Sequence, residues 1–534
     1  MLRCNKKSYG EIWHSGCSIQ LTIKNVHSHL FLGGQHAGGS IVTSVHGDSD
    51  LLDQLLWEGR IFDGSWKVAQ GGSAVVTEPA TGEELTRTGM GDAADIAIAA
   101  RSAAEAQAEW VKMPSRERAD IFFRAAEALQ QDFEAARTWI ARETGGIYAK
   151  GEHEVREAVV ILRRSGAMLL DSGHGLVLPS ASGQLSFAKR QPLGVIGVIS
   201  PFNFPLILSL RAVAPALAAG NAVVLKPDPR TPVSGGFIIA RAFELAGLPK
   251  GLLHVVPGGA DAGEALCTDP HVRMIAFTGS TPVGRRIGEL AGRHLKKVML
   301  ELGGKSPLII TEDVDLDLAA SNVAWGAWFH QGQICMASGR IIVHESIAEQ
   351  LIERLVAKAS HLPFGNPADG NVALGPMINR NQLERVDAIV KDSVAAGAVL
   401  EAGGEPEGPY YRPTVLSGVK PGMRAYSEEF FGPVASVITY RDDEEAIRIA
   451  NDTEYGLAAA VICRSVGRAT AIGERLSAGM VHINDQTVND ECSNPFGGRG
   501  ASGNGGSIGG PADWDEFCQW QWVTVKDAPP AYPF

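Results

Sequence analysis

Val195-Ile196-Gly197-Val198-Ile199, then Pro201-Phe202-Asn203-Phe204-Pro205, then an apolar stretch from Leu206 to Ala219 closed by Gly220, then Ala222-Val223-Val224-Leu225: this run decides the fold. A short continuous apolar run reads as a strand buried on both faces. The longer stretch ended by glycine reads as a helix. Strand, helix and strand in that order suit parallel strands joined through a helix. The pattern continues outward. Val233 to Ala246 is a second helix ended by Gly247, and His254-Val255-Val256, Met274-Ile275-Ala276-Phe277 and Val298-Met299-Leu300 are further strands. Such alternation implies a parallel sheet covered on both faces, a doubly wound α/β domain of Rossmann type.

A second alternation follows. Ser306-Pro307-Leu308-Ile309-Ile310 reads as a strand, Leu316 to Phe329 as a helix, Gly339-Arg340-Ile341-Ile342-Val343 as a strand, and Ile347 to Ala359 as a helix. Upstream, apolar residues at three- and four-residue spacing make Asp92 to Asp132 helical. The tail Gln519-Trp520-Gln521-Trp522-Val523-Thr524-Val525 reads as an edge strand, which wants a partner.

A chain of 534 residues with 45% hydrophobic and 20% charged content has ample core for more than one domain. A net charge of −12 argues against nucleic-acid binding and against a basic membrane-binding face. No apolar run is long enough to span a bilayer. The seven cysteines are scattered without a Cys-x-x-Cys pair, which suggests neither a zinc site nor a disulfide framework; a reducing cytoplasm fits. Residues 1–48 carry five of the 14 histidines and no clean period. They read as a poorly ordered extension, with a regulatory arm or an upstream start codon as open alternatives.

Two motifs carry chemistry. Cys335 closes Phe329-His330-Gln331-Gly332-Gln333-Ile334-Cys335, a tight polar turn that a buried structural cysteine does not need. Glu301 follows the apolar run Lys297-Val298-Met299-Leu300 and precedes two glycines, which places a carboxylate at a strand end with close backbone approach. An ionised thiol attacks carbonyl carbon, and a nearby carboxylate can activate water against the resulting thioester. Each residue alone has a plainer reading: a small core hydrophobe, a solvated charge.

With Pro201-Phe202-Asn203-Phe204-Pro205 and Phe277-Thr278-Gly279-Ser280, these motifs closely resemble the NAD(P)-dependent aldehyde dehydrogenase superfamily, over roughly residues 50–525. The resemblance implies that Cys335 is the nucleophile, Glu301 the base, and Asn203 with the Cys335 N–H the oxyanion donors. It implies NAD as cofactor, with NADP open, bound by Lys226, Asp228, Gly279, Ser280, Gly284, Glu429 and Phe431. Many relatives carry a glutamate where this chain has Pro229, so Asp228 is the candidate carboxylate for the ribose and Arg230 a candidate to offset it. Within the superfamily the nearest likeness is to benzaldehyde dehydrogenases and other aromatic-aldehyde enzymes. It rests on Lys226-Pro227-Asp228-Pro229-Arg230-Thr231, on Asn484-Asp485-Gln486-Thr487-Val488-Asn489-Asp490-Glu491, and on Gly500 in the stretch from Pro495 to Gly503. The implied pocket is an apolar funnel of Phe202, Leu208, Phe329 and Ile334. Arg211 lies near it: inward-facing it would favour an acidic or hydroxylated substrate, outward-facing it is a surface charge. The expected domains are 49–175 with 194–302 for the cofactor, 303–484 for catalysis, and 176–193 with 485–534 as oligomerisation strands and tail, pairing across a homodimer or homotetramer. No metal is expected. Vanillin, salicylaldehyde or semialdehyde oxidation, and a catalytically silent crystallin-like role, are the competing readings.

Overall fold

The computed structural model describes residues 51–171, 173–180 and 183–534. The expected extension 1–48 lies outside the described residues. The first sheet has seven strands in the order Lys297–Glu301, Val272–Thr278, Val195–Ile199, Ala222–Lys226, Leu253–Val255, Arg60–Phe62 and Trp66–Val68. The first five are parallel; the last two form an antiparallel edge. Register explains where the chemistry gathers. Thr278 pairs with Glu301, Phe277 with Ile199, and Ile199 with Lys226. The segments leaving these strands therefore emerge side by side at one carboxyl edge, where open α/β sheets bind ligands.

The second sheet runs Val399–Ala402, Thr414–Ser417, Val434–Tyr440, Arg340–His344, Pro307–Ile310, Ala458–Ile462 and Met480–Ile483, parallel except for its first pair. Alternate residues of one strand enter different cores. Ile309 and Ile342 pack on one face, Leu308, Ile310, Ile341 and Val343 on the other. Both faces are covered, so the strands read as continuous apolar runs.

Two helical expectations are refined. The stretch 92–132 is two helices, Ala93–Trp110 and Ser115–Gln131. Pro114, lacking an N–H and disfavouring helical backbone at Met113, separates them. The stretch from Val233 opens with a π turn, Val233–Phe237, before the α-helix Ile238–Leu245. Buried Glu143 accepts from the N–H groups of Val233 and Ser234, 3.0 and 2.7 Å away, which satisfies donors the wide turn leaves free.

The tail strand, Cys518–Val525, is an edge strand, as expected. It pairs antiparallel with Leu185–Pro192 of the same chain, which pairs in turn with Gly175–Val177. The stretch before it serves the site instead: the Leu302 N–H donates to the Ser502 carbonyl at 2.9 Å, and the Thr281 hydroxyl to that of Ala501, also 2.9 Å. Among the described residues no helix is long and apolar enough to cross a membrane.

Candidate active site

Cys335 follows the helix Leu316–Trp328 and one tight turn, Phe329–Gly332. His330, Gln331 and Gly332 have φ of 48°, 55° and 64°. Left-handed backbone is costly for the first two, so surrounding contacts must hold it. They are identifiable. Gln331 donates through Nε2 to the Gly145 carbonyl at 2.8 Å, and the Gln333 side-chain oxygen accepts from the Ile378 N–H at 3.0 Å. A Cβ at position 332 would sit 2.1 Å from the Gly432 carbonyl oxygen, so glycine is required there. The glutamines that marked the motif are thus buried struts.

Asn203 is buried and donates one amide hydrogen to the Gln333 carbonyl at 2.9 Å. An amide nitrogen carries two hydrogens, so one donor remains. Asn203 and half-buried Cys335 share the wall of a cavity of about 350 Å³. Leu208, Phe329 and Ile334 line it as expected; Phe204, Trp325 and Phe496 add aromatic surface. Trp325 stacks on Phe329, ring centroids 4.4 Å apart and planes within 7°. Trp325 lies in the last turn of the helix and Phe329 is its C-cap, four positions on.

Two expected pocket residues lie elsewhere. Phe202 packs edge-on against Phe431, centroids 5.8 Å apart, with the Arg230 guanidinium 4.2 Å from its ring. It leaves the first sheet on the same edge as Lys226, away from the cavity wall. Arg211 faces neither substrate nor solvent. Its side chain is 2% exposed and grips Asp490 with two hydrogen bonds of 2.6 and 2.9 Å. Asp490, which sequence reasoning placed in a motif without a role, is the residue that reaches the cavity.

Glu301 is buried, and neither carboxylate oxygen has a hydrogen-bond partner among the described residues. Burial pushes its pKa well above the usual carboxylate range; Arg211 opposes that, while Glu516 and Asp490 add to it. The Cys335 thiol is also pushed up, by burial first and then by the negative fields of Glu429, Glu301 and Asp490. The thiol must therefore lose its proton against both burial and these negative fields before it can attack carbonyl carbon.

The residues expected to hold the cofactor lie at and beyond the carboxyl edge of the first sheet. Ser280 caps the helix Thr281–Arg293 without using its side chain, leaving first-turn N–H groups for an anion. Lys226 is buried at its strand end, with the carboxylates of Asp228 and Asp261 within electrostatic reach. Glu429 accepts from the Gly304 N–H at 3.1 Å and is pushed up to about 7 by burial. Phe431 takes left-handed backbone, φ 51°, with its carbonyl held by the Gln382 amide at 2.9 Å. Gly284, in the first turn of the helix Thr281–Arg293, is closely packed. A Cβ there would lie 2.3 Å from Leu302 Cδ2, so that glycine serves helix-to-strand packing. Asp228 is already occupied: it accepts from Arg230 Nε at 2.8 Å and from Nη2 at 2.6 Å.

Residues 66–523 match the aldehyde dehydrogenase family. The chain belongs to that family. Among curated relatives, this aldehyde dehydrogenase is 51% identical over 485 residues to a vanillin dehydrogenase of an Amycolatopsis species, covering 91% of this chain and all of the relative. It is 47% identical over 486 residues to an NAD-dependent benzaldehyde dehydrogenase of Pseudomonas putida, with 91% and 100% covered. Its fold matches the crystal structure of an NAD-dependent aldehyde dehydrogenase from Sinorhizobium meliloti with TM-score 0.86 and 34% identity, covering 91% and 98% of the two chains.

Proposed function

We propose that this aldehyde dehydrogenase oxidises aromatic aldehydes to carboxylic acids with NAD, using Cys335 as nucleophile, Asn203 as oxyanion donor and Glu301 as base. The observation that carries the reading is one cavity whose wall holds both a thiol and an amide tied to the thiol's own loop, beside the flat Trp325–Phe329 slab. The names of the two curated relatives point to the same substrate class.

Ionised Cys335 Sγ attacks the carbonyl carbon, its proton having passed to solvent. The free Asn203 N–H and the Cys335 N–H donate to the developing oxyanion; one such donor is worth ~10²–10³ in rate. NAD, when bound, accepts the hydride. Lys226, the open N–H groups after Ser280, Glu429 and Phe431 would hold it. Asp228 can still accept from a ribose hydroxyl, but Arg230 partly neutralises it, so discrimination against NADP is modest. Oxidation leaves an acyl thioester on Cys335. Glu301, in its ionised form, then takes a proton from water as that water attacks the thioester; the carbon–sulfur bond breaks, the acid leaves, and Glu301 returns the proton to the expelled thiolate. A buried, unpaired carboxylate is a strong base once ionised, which suits this task.

We further propose cytoplasmic location, matching the free thiols Cys267, Cys335, Cys463, Cys492 and Cys518. A homo-oligomer is proposed too, using the three-stranded sheet that exposes Leu176, Val177, Trp522 and Val525. The test of the substrate reading is kcat/KM for benzaldehyde, vanillin, succinic semialdehyde and hexanal with each cofactor. Aromatic aldehydes with NAD should lead by about tenfold or more, the scale of a fitted apolar contact. A lead by the semialdehyde or by hexanal would overturn the aromatic assignment.

A further inference from the structure

Behind the cavity lies an ion pair that the chemistry above does not use. Lys150 Nζ and Glu154 Oε1 are 2.5 Å apart, with both side chains wholly buried. They stand one turn apart on the helix Tyr148–Met168. Buried ion pairs are poor stabilisers: an apolar pair of similar volume often does as well or better, because two charges must be desolvated. A role other than stability is therefore worth seeking in what the pair touches.

Glu154 Oε2 accepts from the N–H groups of Leu206 and Ile207, at 3.0 and 3.3 Å. These are first-turn donors of the helix Pro205–Ala218, which begins two residues after Asn203. A helix usually obtains such a cap from its own N-cap side chain. Here the N-cap is Phe204, which makes no cap hydrogen bond and lines the cavity. Asn203, the preceding residue, spends its amide on the Gln333 carbonyl. Local sequence at this turn is committed to the site, and the cap comes from a carboxylate 52 positions away. Lys150 completes the arrangement. It donates to Thr144 Oγ1 at 3.2 Å and sits 4.8 Å from the centre of the Phe204 ring. That ring meets His330, in the left-handed turn before Cys335, edge-on at 5.3 Å.

We propose that Glu154, held by Lys150, is a positioning residue for the oxidation: it pins the helix start after Asn203 so that the amide stays aimed at the oxyanion. The inference rests on the oxyanion role given to Asn203 above. A displacement near 1 Å at a reacting group can cost ~10²-fold, so a lost anchor should be visible in rate.

The test is a double-mutant cycle on the full-length enzyme. The first arm is Lys150→Met with Glu154→Leu, the second is Asn203→Ala, and the third combines them. The single-turnover rate of benzaldehyde oxidation is measured per reactive thiol, so that loss of folded enzyme does not count. Removing the pair should slow the Asn203 enzyme about 10- to 100-fold. In the Asn203→Ala background it should slow it less than about threefold, because the two act through one donor. Equal slowing in both backgrounds would overturn the proposal while leaving Asn203 its role. No slowing by Asn203→Ala alone would overturn the oxyanion assignment and the proposal with it. If the leucine variant does not fold, Lys150→Met with Glu154→Gln enters the same cycle. Gln keeps an acceptor for the Leu206 and Ile207 N–H groups, so slowing below about threefold is expected there, and a loss as large as that of Asn203→Ala would count against the anchor.

Discussion

Replacing Asp490 with leucine removes the partner of a fully enclosed cation. The Arg211 guanidinium is 2% exposed, lies 4.7 Å from the centre of the Phe496 ring, and would keep only the Glu491 carbonyl at 3.4 Å. Breaking one side of such a pair typically costs ~3–5 kcal/mol, whereas replacing both sides by apolar residues is often neutral. At ~1.4 kcal/mol per factor of ten, Asp490→Leu should lower the folded-to-unfolded ratio by about two to three and a half orders of magnitude. Arg211→Met is milder. It strands Asp490, but that side chain is 21% exposed and can draw on water in the cavity. The double variant should recover most of the loss. Urea midpoints followed by tryptophan fluorescence at one protein concentration read all three. Equal midpoints for Asp490→Leu and the double variant would refute the reasoning. The same substitution carries a functional signature. Asp490 raises the Glu301 pKa and Arg211 lowers it, so Asp490→Leu should move the base's ionisation to lower pH.

Because burial pushes both the Cys335 thiol and the Glu301 carboxyl above their ordinary pKa ranges, their ionised forms grow as pH rises, and kcat/KM should climb with pH; a flat or falling profile would exclude both as ionising participants. Gly303→Ala places a Cβ 2.3 Å from Glu429 Oε2, the movable end of a side chain. The fold should survive while KM for NAD rises by about tenfold, the scale of one charge-assisted hydrogen bond; unchanged KM with a large stability loss would show that Glu429 does not bind cofactor. Asp228→Ser frees Arg230 from its two side-chain hydrogen bonds and should raise kcat/KM with NADP relative to NAD, while Arg230→Ala should lower it. If neither ratio moves, this corner does not face the ribose.

The architecture was legible because both sheets are parallel through their centres, with antiparallel pairs only at an edge, and are covered on both faces. Val195–Ile199 and Pro307–Ile310 carry that fact as unbroken apolar runs. Glu301 and Cys335 were legible because a carboxylate before two glycines and a thiol after a polar turn are poor fits to plain structural roles. What stayed hidden depends on partners far along the chain. Nothing in the neighbourhood of Arg211 announces that Asp490, 279 positions on, will neutralise it. Phe202 and Phe204 differ by two positions, yet one packs on Phe431 and the other lines the cavity, because the chain turns sharply between strand and helix. The sequence around Gly284 does not show that Leu302 leaves no room there for a Cβ.

The most direct measurement uses Glu301→Gln enzyme mixed rapidly with benzaldehyde and NAD. Reduced cofactor should appear in a single burst of about one equivalent per Cys335 and then stall, with mass spectrometry locating a benzoyl thioester on Cys335, since hydride transfer precedes the hydrolysis that the base serves. Steady turnover at the unmodified enzyme's rate, or an acyl group on any residue other than Cys335, would contradict the assignment of nucleophile and base.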